Sequence, residues 1–205
     1  MEIQVLNHAS IKIEDGKTIY IDPYDIKEEF HDADYIFITH DHYDHYDPNS
    51  ISKIQKENTQ IIVPKCLEEE KNDLVVEPNK EYTVNDLFFQ TIPSYNTGKP
   101  FHPKGKGYVG YLIKLKGVRY YAMGDTDRTE EADSVQTDVC FVPIGGTYTM
   151  NVEEATAYIN ETSPKLAIPI HYGKIVGDLS LGKEFQSKIN KNIKTMILIK
   201  ENEQW

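Results

Sequence analysis

The chain has 205 residues, of which 39% are hydrophobic and 27% charged. A chain of this length can bury about 70% of its unfolded surface and needs no disulfide or metal merely to fold. Acidic residues outnumber basic ones by 33 to 22, which gives a formal net charge of −11. Because such a charge repels nucleic acid and anionic membranes, we expect neither as a partner.

The sequence also indicates where the protein works. No apolar run is long enough to span a bilayer, and the opening MEIQVLNHASIKIED lacks the basic and apolar regions of a signal peptide. The two cysteines, Cys66 and Cys140, lie far apart and form no CxxC pattern. Cys140, within VCFVPI, is predicted to be a buried strand residue. Together these features predict a cytoplasmic protein.

Strands dominate the first two-thirds of the chain. The predicted strands are Ile3–Leu6, Ser10–Glu14, Thr18–Ile21, Tyr35–Thr39, Ile61–Val63, Leu74–Glu77, Leu87–Ile92, Tyr108–Lys116 and Arg119–Met123. Asp47 can cap a helix that begins with Pro48 and runs to about Glu57. A short polar helix is predicted near Cys66–Lys71.

Strands and helices alternate in the last third. The predicted strands here are Val139–Ile144, Leu166–Ile170 and Thr195–Lys200, and the predicted helices are Asn151–Asn160 and Gly182–Asn190. Asn151 and Glu154 fit a capping box. The pattern predicts one α/β domain over residues 1–205, with sheet buried beneath helices.

The most informative segment is THDHYDH at residues 39–45, which holds three of the seven histidines. It follows a predicted buried strand and precedes a proline-started helix, so it is a loop of the kind in which functional groups concentrate. Imidazole and carboxylate groups together suit zinc, and also manganese or iron(II). We therefore predict that this segment binds a divalent metal.

This HxHxDH pattern resembles the signature of the metallo-β-lactamase superfamily of metal-dependent hydrolases. The motifs NHAS at 7–10, IDP at 21–23, GDT at 124–126, PIGGTYTM at 143–150 and PIHYG at 169–173 are similar to those of its branch that includes ascorbate-6-phosphate lactonase. The resemblance spans nearly the whole chain. It implies a four-layer αβ/βα sandwich with the metal site at one edge, between two sheets.

The resemblance also implies roles for single residues. Asp125 would bridge two metals and His171 would be a ligand, although alone each would more often be a turn or structural residue. Asp22 could orient a ligand histidine or merely form a turn with Pro23. His8 could contact the substrate or the outer shell of the metal, or form a local backbone hydrogen bond.

The sequence departs from the family where the third imidazole of the first metal site is expected, because Asn96 stands there. An amide oxygen is a weaker zinc ligand than an imidazole. His40, His42 and Asp125 would then form an incomplete first site, whereas Asp44, His45, Asp125 and His171 form a complete second one. His102 could supply the missing imidazole if its loop folds back. We therefore expect one or two metals per chain, with zinc as the first choice.

A segment rich in lysine follows. Lys99, Lys104 and Lys106 could bind the phosphate or carboxylate of an anionic substrate, or could simply keep a loop solvated. Tyr148 lies in the family's substrate-side loop.

These observations predict a hydrolase in which a metal-bound hydroxide attacks a small, anionic ester, lactone or phosphoester. Asp44 could move a proton, and His8, Tyr148 or a lysine could stabilise developing negative charge. The alternatives are a phosphodiesterase or nuclease-type member, and a metal-binding protein without catalysis. The expected partner is a small molecule, and the sequence leaves a homo-oligomer open.

Overall fold

The computed structural model describes residues 1–67 and 74–199. Six strands form an N-terminal sheet in chain order, with the bounds β1 Glu2–Asn7, β2 Ser10–Glu14, β3 Thr18–Ile21, β4 Ala33–Phe37, β5 Gln55–Pro64 and β6 Leu74–Val76. Strands β1 to β3 are antiparallel, and β3 to β6 are parallel.

A C-terminal sheet holds seven strands, also in chain order. Their bounds are β7 Glu81–Val84, β8 Leu87–Pro93, β9 Val109–Leu115, β10 Val118–Ala122, β11 Val139–Pro143, β12 Leu166–Ile170 and β13 Lys194–Thr195. Pairing is antiparallel from β7 to β10 and parallel from β10 to β13. Both sheets therefore pass from hairpins to parallel strands along the chain.

The α-helices are α1 Pro48–Ile54, α2 Glu130–Asp133, α3 Val152–Thr162 and α4 Ser180–Lys188, with 3-10 turns at Lys65–Leu67 and Lys104–Lys106. Asp47 caps α1 by accepting a hydrogen bond from the Asn49 amide. The predicted capping box of α3 is present: the Asn151 side chain accepts from the Glu154 amide, and the Glu154 carboxylate accepts from the Asn151 amide.

Alternation along β4 shows how the layers pack. Successive strand residues point to opposite faces. Phe37 packs against Phe89 and Tyr111 of the C-terminal sheet, at ring-centroid distances of 5.0 and 4.9 Å, whereas Ile36 belongs to a separate cluster with Ile51 of α1. The two sheets thus pack face to face.

Helix α3 covers the outer face of the C-terminal sheet, because Tyr158 lies beside Tyr121 and Cys140, the strand residues that precede the inward-facing pair Ala122 and Phe141. The order of layers is helix, sheet, sheet, helix. The predicted four-layer αβ/βα sandwich is confirmed.

Several predicted boundaries are wrong. Helix α1 ends at Ile54 instead of near Glu57, because β5 begins at Gln55 and runs for 10 residues. The polar first half of β5 carries no strand pattern. Two contacts hold this half beside β4: Thr59 donates a hydrogen bond to the Ala33 carbonyl, and Lys56 binds Asp34. Tertiary contacts, rather than local preference, make it a strand.

Two further elements differ. Strand β7 was not predicted, although the turn residues Asn85-Asp86 join it to β8. The last strand stops at Thr195 instead of reaching Lys200, and Met196, Leu198 and Ile199 after it pack against the core. Lys200 lies outside the described residues, as does most of the helix predicted near Cys66–Lys71. Cys140 is fully buried, as predicted. Among the described residues, no helix has the length and apolar character to cross a membrane.

The capping box of α3 generates a stability prediction. Asn151→Ala removes a side-chain acceptor at a helix start and should lower the free energy of unfolding by about 1 kcal/mol. Urea unfolding followed by circular dichroism measures it. The control is Asn49→Ala, an exposed position inside α1, which should change that free energy by less than about 0.5 kcal/mol. Equal effects of the two substitutions would show that the capping box adds nothing.

Candidate metal centre

The loops that carry the predicted site residues meet at one edge between the sheets. The segment 39–45 follows β4, Asp125 follows β10, and His171 follows β12. His8 and Ala9 form the turn after β1, and the backbone amide of His171 donates to the carbonyl of His8. Strand ends from both sheets therefore converge on a single place.

A first group comprises His40, His42 and His102, each of which offers a ligand atom within 4.8 Å of the others. His102 Nε2 lies 3.2 Å from His42 Nδ1. The loop between β8 and β9 thus folds back, and it brings in His102 rather than Asn96.

A second group comprises His8, Asp44, His45 and His171, again with ligand atoms within 4.8 Å of one another. All four residues are buried. His8 is fully buried among side chains that can bind a metal, and it does not face the open cavity next to the site.

Asp125 lies between the two groups. One of its carboxylate oxygens, Oδ1, is 3.2 Å from His45 Nε2. The other, Oδ2, is 3.0 Å from His171 Nε2 and 3.3 Å from His102 Nε2. A carboxylate in this position can serve both groups, as a bridging ligand does.

Buried atoms without hydrogen-bond partners test whether the site suits a metal. They include Nε2 of His8, His40, His45 and His171, together with Oδ1 of Asp125, since the contacts of 3.0–3.2 Å from three of these nitrogens to Asp44 or Asp125 lack hydrogen-bond geometry. Leaving a buried polar atom unpaired costs roughly 1–3 kcal/mol, so five such atoms aimed at one place need a common partner. A divalent cation satisfies nitrogen and oxygen donors at once. The residues fit a metal.

Hydrogen bonds on the far side of the rings orient two of the imidazoles. His45 Nδ1 lies 2.7 Å from Asp22 Oδ2, which is the position expected for Asp22. His40 Nδ1 lies 2.9 Å from the Thr39 hydroxyl, and that hydroxyl donates to Asp22. Such outer contacts set the tautomer and leave Nε2 facing the site.

Backbone geometry at the site is unusual. His8, Asp22 and His171 have φ of 44, 48 and 59°, a left-handed region that costs non-glycine residues energy and is often kept at functional sites. Gly124 has φ 67°, and a Cβ there would lie 3.1 Å from the Thr39 side chain. Glycine therefore lets the chain turn tightly enough to aim Asp125 between the histidine groups.

Burial keeps several imidazoles neutral. It lowers the pKa of His40 well below the ordinary value and, together with the neighbouring His171, lowers the pKa of His8 to about 4. Burial also lowers the pKa of His102. Neutral imidazole is the form that binds a metal.

Carboxylates dominate the other half of the site. Burial acts against a charge on His45, but Asp125 and Asp22 outweigh it and hold the pKa of His45 well above its ordinary value. Burial likewise raises the pKa of Asp125, but His171 and His45 hold it well below the ordinary value. The arrangement stabilises positive charge next to Asp125.

The sequence left open whether Asn96 or His102 belongs to the first metal site. Asn96 belongs to neither ligand group of the described residues, because hydrogen bonds use its whole side chain. Its Oδ1 accepts from the His102 amide at 3.0 Å and lies 3.1 Å from His102 Nδ1. Its Nδ2 donates to the Tyr148 carbonyl at 2.8 Å and to Asp127 Oδ1 at 3.2 Å. Asn96 thus closes the loop that presents His102.

Asp127 was missed by the sequence interpretation. It is buried and accepts hydrogen bonds from Asn96, from the Thr97 amide at 2.9 Å and from Lys99. A signal for it exists, since Asp127 follows Asp125 by two positions and therefore emerges from the same strand end. Its role is to hold the loop that carries His102.

The three lysines are not brought to the metal centre. Lys99 binds Asp127 and the Thr149 carbonyl, and Lys104 binds Glu131 at 2.6 Å. Lys106 lines a separate surface groove with Lys65. The expected anion-binding role of this segment finds no support in its geometry.

A cavity of about 470 Å³ opens onto the centre. Its lining residues are Asp41, His42, Tyr43, Asp44, Phe101, His102, Asp125, Tyr148 and Ile175. Asp44 and Tyr148, both predicted to act on substrate, therefore face the space that a substrate would fill. The volume lies within the range of small-molecule sites, about 300–1,000 Å³.

The family whose sequence model is described as "Beta-lactamase superfamily domain" matches residues 2–171. A UPF0173 protein of Pyrococcus abyssi is 32% identical over 213 residues, covering 98% of this chain and 96% of that protein. A UPF0173 metal-dependent hydrolase of Staphylothermus marinus is 31% identical over 224 residues, covering 96% of this chain and 94% of that protein.

Among solved structures, one from Parabacteroides distasonis described as a metal-dependent hydrolase is similar, with a TM-score of 0.84 and 27% identity. The similarity covers 97% of this chain and 93% of the chain from Parabacteroides distasonis. The lactonase-like branch and a single domain over residues 1–205 stay predictions. Fold, site and comparisons agree that the chain belongs to the metallo-β-lactamase superfamily of metal-dependent hydrolases.

Proposed function

We propose that the protein hydrolyses a small ester or lactone at a two-metal site. The observation that carries the proposal is the convergence of unpartnered, buried imidazole nitrogens on Asp125 beside an open cavity. Burying so many unpaired polar atoms serves no structural purpose. A cation next to a space for a small molecule accounts for both features.

Two sets of ligands follow from the geometry. His40, His42, His102 and Asp125 would hold one metal, and His8, Asp44, His45, Asp125 and His171 the other. Imidazole and carboxylate donors suit zinc first, and manganese or iron as alternatives. A bound divalent ion would lower the pKa of a coordinated water and polarise the bond under attack.

The side chains of the protein supply the remaining requirements. In ester hydrolysis the oxygen of water bonds to the acyl carbon, the acyl C–O bond breaks, and a proton goes to the departing oxygen. Asp44 faces the cavity, and its Oδ2 lies 3.2 Å from His8 Nε2. Burial raises the pKa of Asp44, but His8 and His45 bring it down to about 2. The carboxylate can therefore accept a hydrogen bond from water and orient it.

The structure weakens both alternative functions. A metal-binding protein without catalysis was suggested by Asn96, but His102 stands in the first group of imidazoles. A phosphodiesterase commonly uses basic side chains beside its metals to hold the phosphate, whereas neither lysine nor arginine is among the residues that line this cavity, so the metals alone would have to hold it. An ester or lactone remains the favoured substrate.

The function can be tested by metal analysis and turnover together. The purified protein should hold close to two divalent ions per chain and hydrolyse small esters or lactones, and Asp125→Asn should lower kcat/KM by at least 100-fold. Asp138→Asn, a change at an Asp far from the centre, should leave kcat/KM within about twofold. Two tightly held metals without turnover of any ester or lactone would contradict the proposal.

The first metal generates a second prediction. His102→Ala should remove about one metal per chain, because it deletes the third imidazole of the first group. Asn96→His should not increase the metal content, since the Asn96 side chain points to Asp127 and Tyr148 rather than to the metals. Elemental analysis after dialysis measures both. The exposed His31 provides the control His31→Ala, which should lose no metal. Full metal content in His102→Ala would show that the loop contributes no ligand.

Asn96 generates a third prediction. Asn96→Ala deletes the acceptor next to His102 Nδ1 and should weaken binding of the first metal by about 10- to 100-fold. Competition with a chelator measures the affinity. Because Asn58 is exposed, Asn58→Ala is a matched control and should leave the affinity unchanged. An unaltered affinity in Asn96→Ala would limit Asn96 to shaping the loop.

A further inference from the structure

The residues that line the cavity include an unusual share of the exposed aromatic surface. Five large hydrophobic side chains are exposed among the described residues, and three of them, Tyr43, Phe101 and Tyr148, line this cavity. Exposed apolar groups gathered at one place mark a binding site. The cavity walls therefore suit an apolar ligand.

Two of these aromatic rings form a preorganised pair. Phe101 and Tyr148 meet edge to face, with ring centroids 4.7 Å apart and an interplanar angle of 81°. Asn96 links their backbones, because it binds the amide of His102, next to Phe101, and the carbonyl of Tyr148. The hydrogen bonds of Asn96 that position His102 therefore also position this aromatic pair next to the metal centre.

Charge in the cavity argues against an anion. Asp41, Asp44 and Asp125 line it, Asp22 stands behind His45, and the lining includes no lysine or arginine. An anionic ligand would meet these aspartates without a basic side chain of the lining to balance its charge.

Each lysine within two sequence positions of a residue that lines the cavity already has an anionic partner. Lys99 pairs with Asp127, and Lys104 pairs with Glu131. Lys174, next to Ile175 of the lining, pairs with Asp25 and lies over the Tyr24 ring. Moving any of them to a substrate would break an existing ion pair.

We propose that the substrate is an uncharged ester or lactone with an aromatic or similarly apolar arm, which packs against Phe101, Tyr148 and Tyr43. The hydrolysable bond would then lie over Asp44 and Asp125, at the floor of the cavity. This inference rests on the proposed hydrolytic function and specifies its substrate class. It replaces the anionic substrate expected from the lysines.

Two esters of matched shape test the proposal on the metal-loaded protein: 4-methylphenyl acetate, which is neutral, and 4-acetoxybenzoate, which carries a carboxylate in place of the methyl group. With each rate normalised to its uncatalysed value, kcat/KM for the neutral ester should be at least tenfold higher. Phe101→Ala should lower it about tenfold for this ester, but less than twofold for ethyl acetate, which has no aromatic arm. Phe30→Ala removes an exposed aromatic ring outside the cavity and should have no effect.

Binding separates the failure of this inference from the failure of the proposed function. Calorimetry with the corresponding amides, 4-methylacetanilide and 4-acetamidobenzoate, reports ligand preference without turnover. Preference for the neutral amide that depends on Phe101, without hydrolysis of either ester, would overturn the function but support the apolar site. Hydrolysis with equal or greater preference for the anion, a Phe101→Ala substitution that affects ethyl acetate equally, or no preference in binding would overturn the inference.

Discussion

Burial of Asp125 among imidazole nitrogens is the interaction on which the rest of the site depends. Its carboxylate is 4% exposed and lies within 3.3 Å of His45, His102 and His171. A carboxylate removed from water is costly unless positive charge compensates it. Groups from both sheets supply nitrogen donors around it, and a cation between them completes the compensation. Three further residues hold this arrangement in place: Gly124 permits the tight turn before Asp125, and Thr39 and Asp22 orient the histidine rings.

The loop between β8 and β9 shows how a missing ligand is replaced. Asn96 stands at the position at which a histidine was expected. The chain forms a loop from Asn96 to His102, and these two residues lie next to each other at its ends. The two residues are joined by backbone and side-chain hydrogen bonds, since the Asn96 amide donates to the His102 carbonyl and Asn96 Oδ1 accepts from the His102 amide. The loop also carries Phe101 to the cavity. One local structure thus serves the metal centre and the substrate wall.

Much of the fold was predictable because its signals are local. The buried strands, the Asp47 and Asn151 caps and the histidine-rich loop follow from patterns of adjacent residues. Strand β5 was not, because its first half is polar and is held by contacts to Asp34 and Ala33 that no local pattern contains.

The site divides in the same way. His40, His42, Asp44 and His45 lie in one motif, and the ends of β10 and β12 could be expected to carry Asp125 and His171 to the same edge. Whether Asn96 or His102 faces the metals depends on how a loop closes, and that is set by Asp127 and the backbone of Tyr148. The ion pairs of Lys99 and Lys104 could not be predicted for a similar reason, because their partners Asp127 and Glu131 come from distant parts of the sequence.

Anomalous diffraction from crystals of the zinc-loaded protein tests the central claim most directly. The account predicts two anomalous peaks, one on each side of Asp125, with His102 Nε2 bound to the ion that His40 and His42 also bind. Asn96 should remain at hydrogen-bond distance from His102 and outside the coordination sphere. A single peak remote from His102, or an ion bound by the Asn96 oxygen, would contradict it.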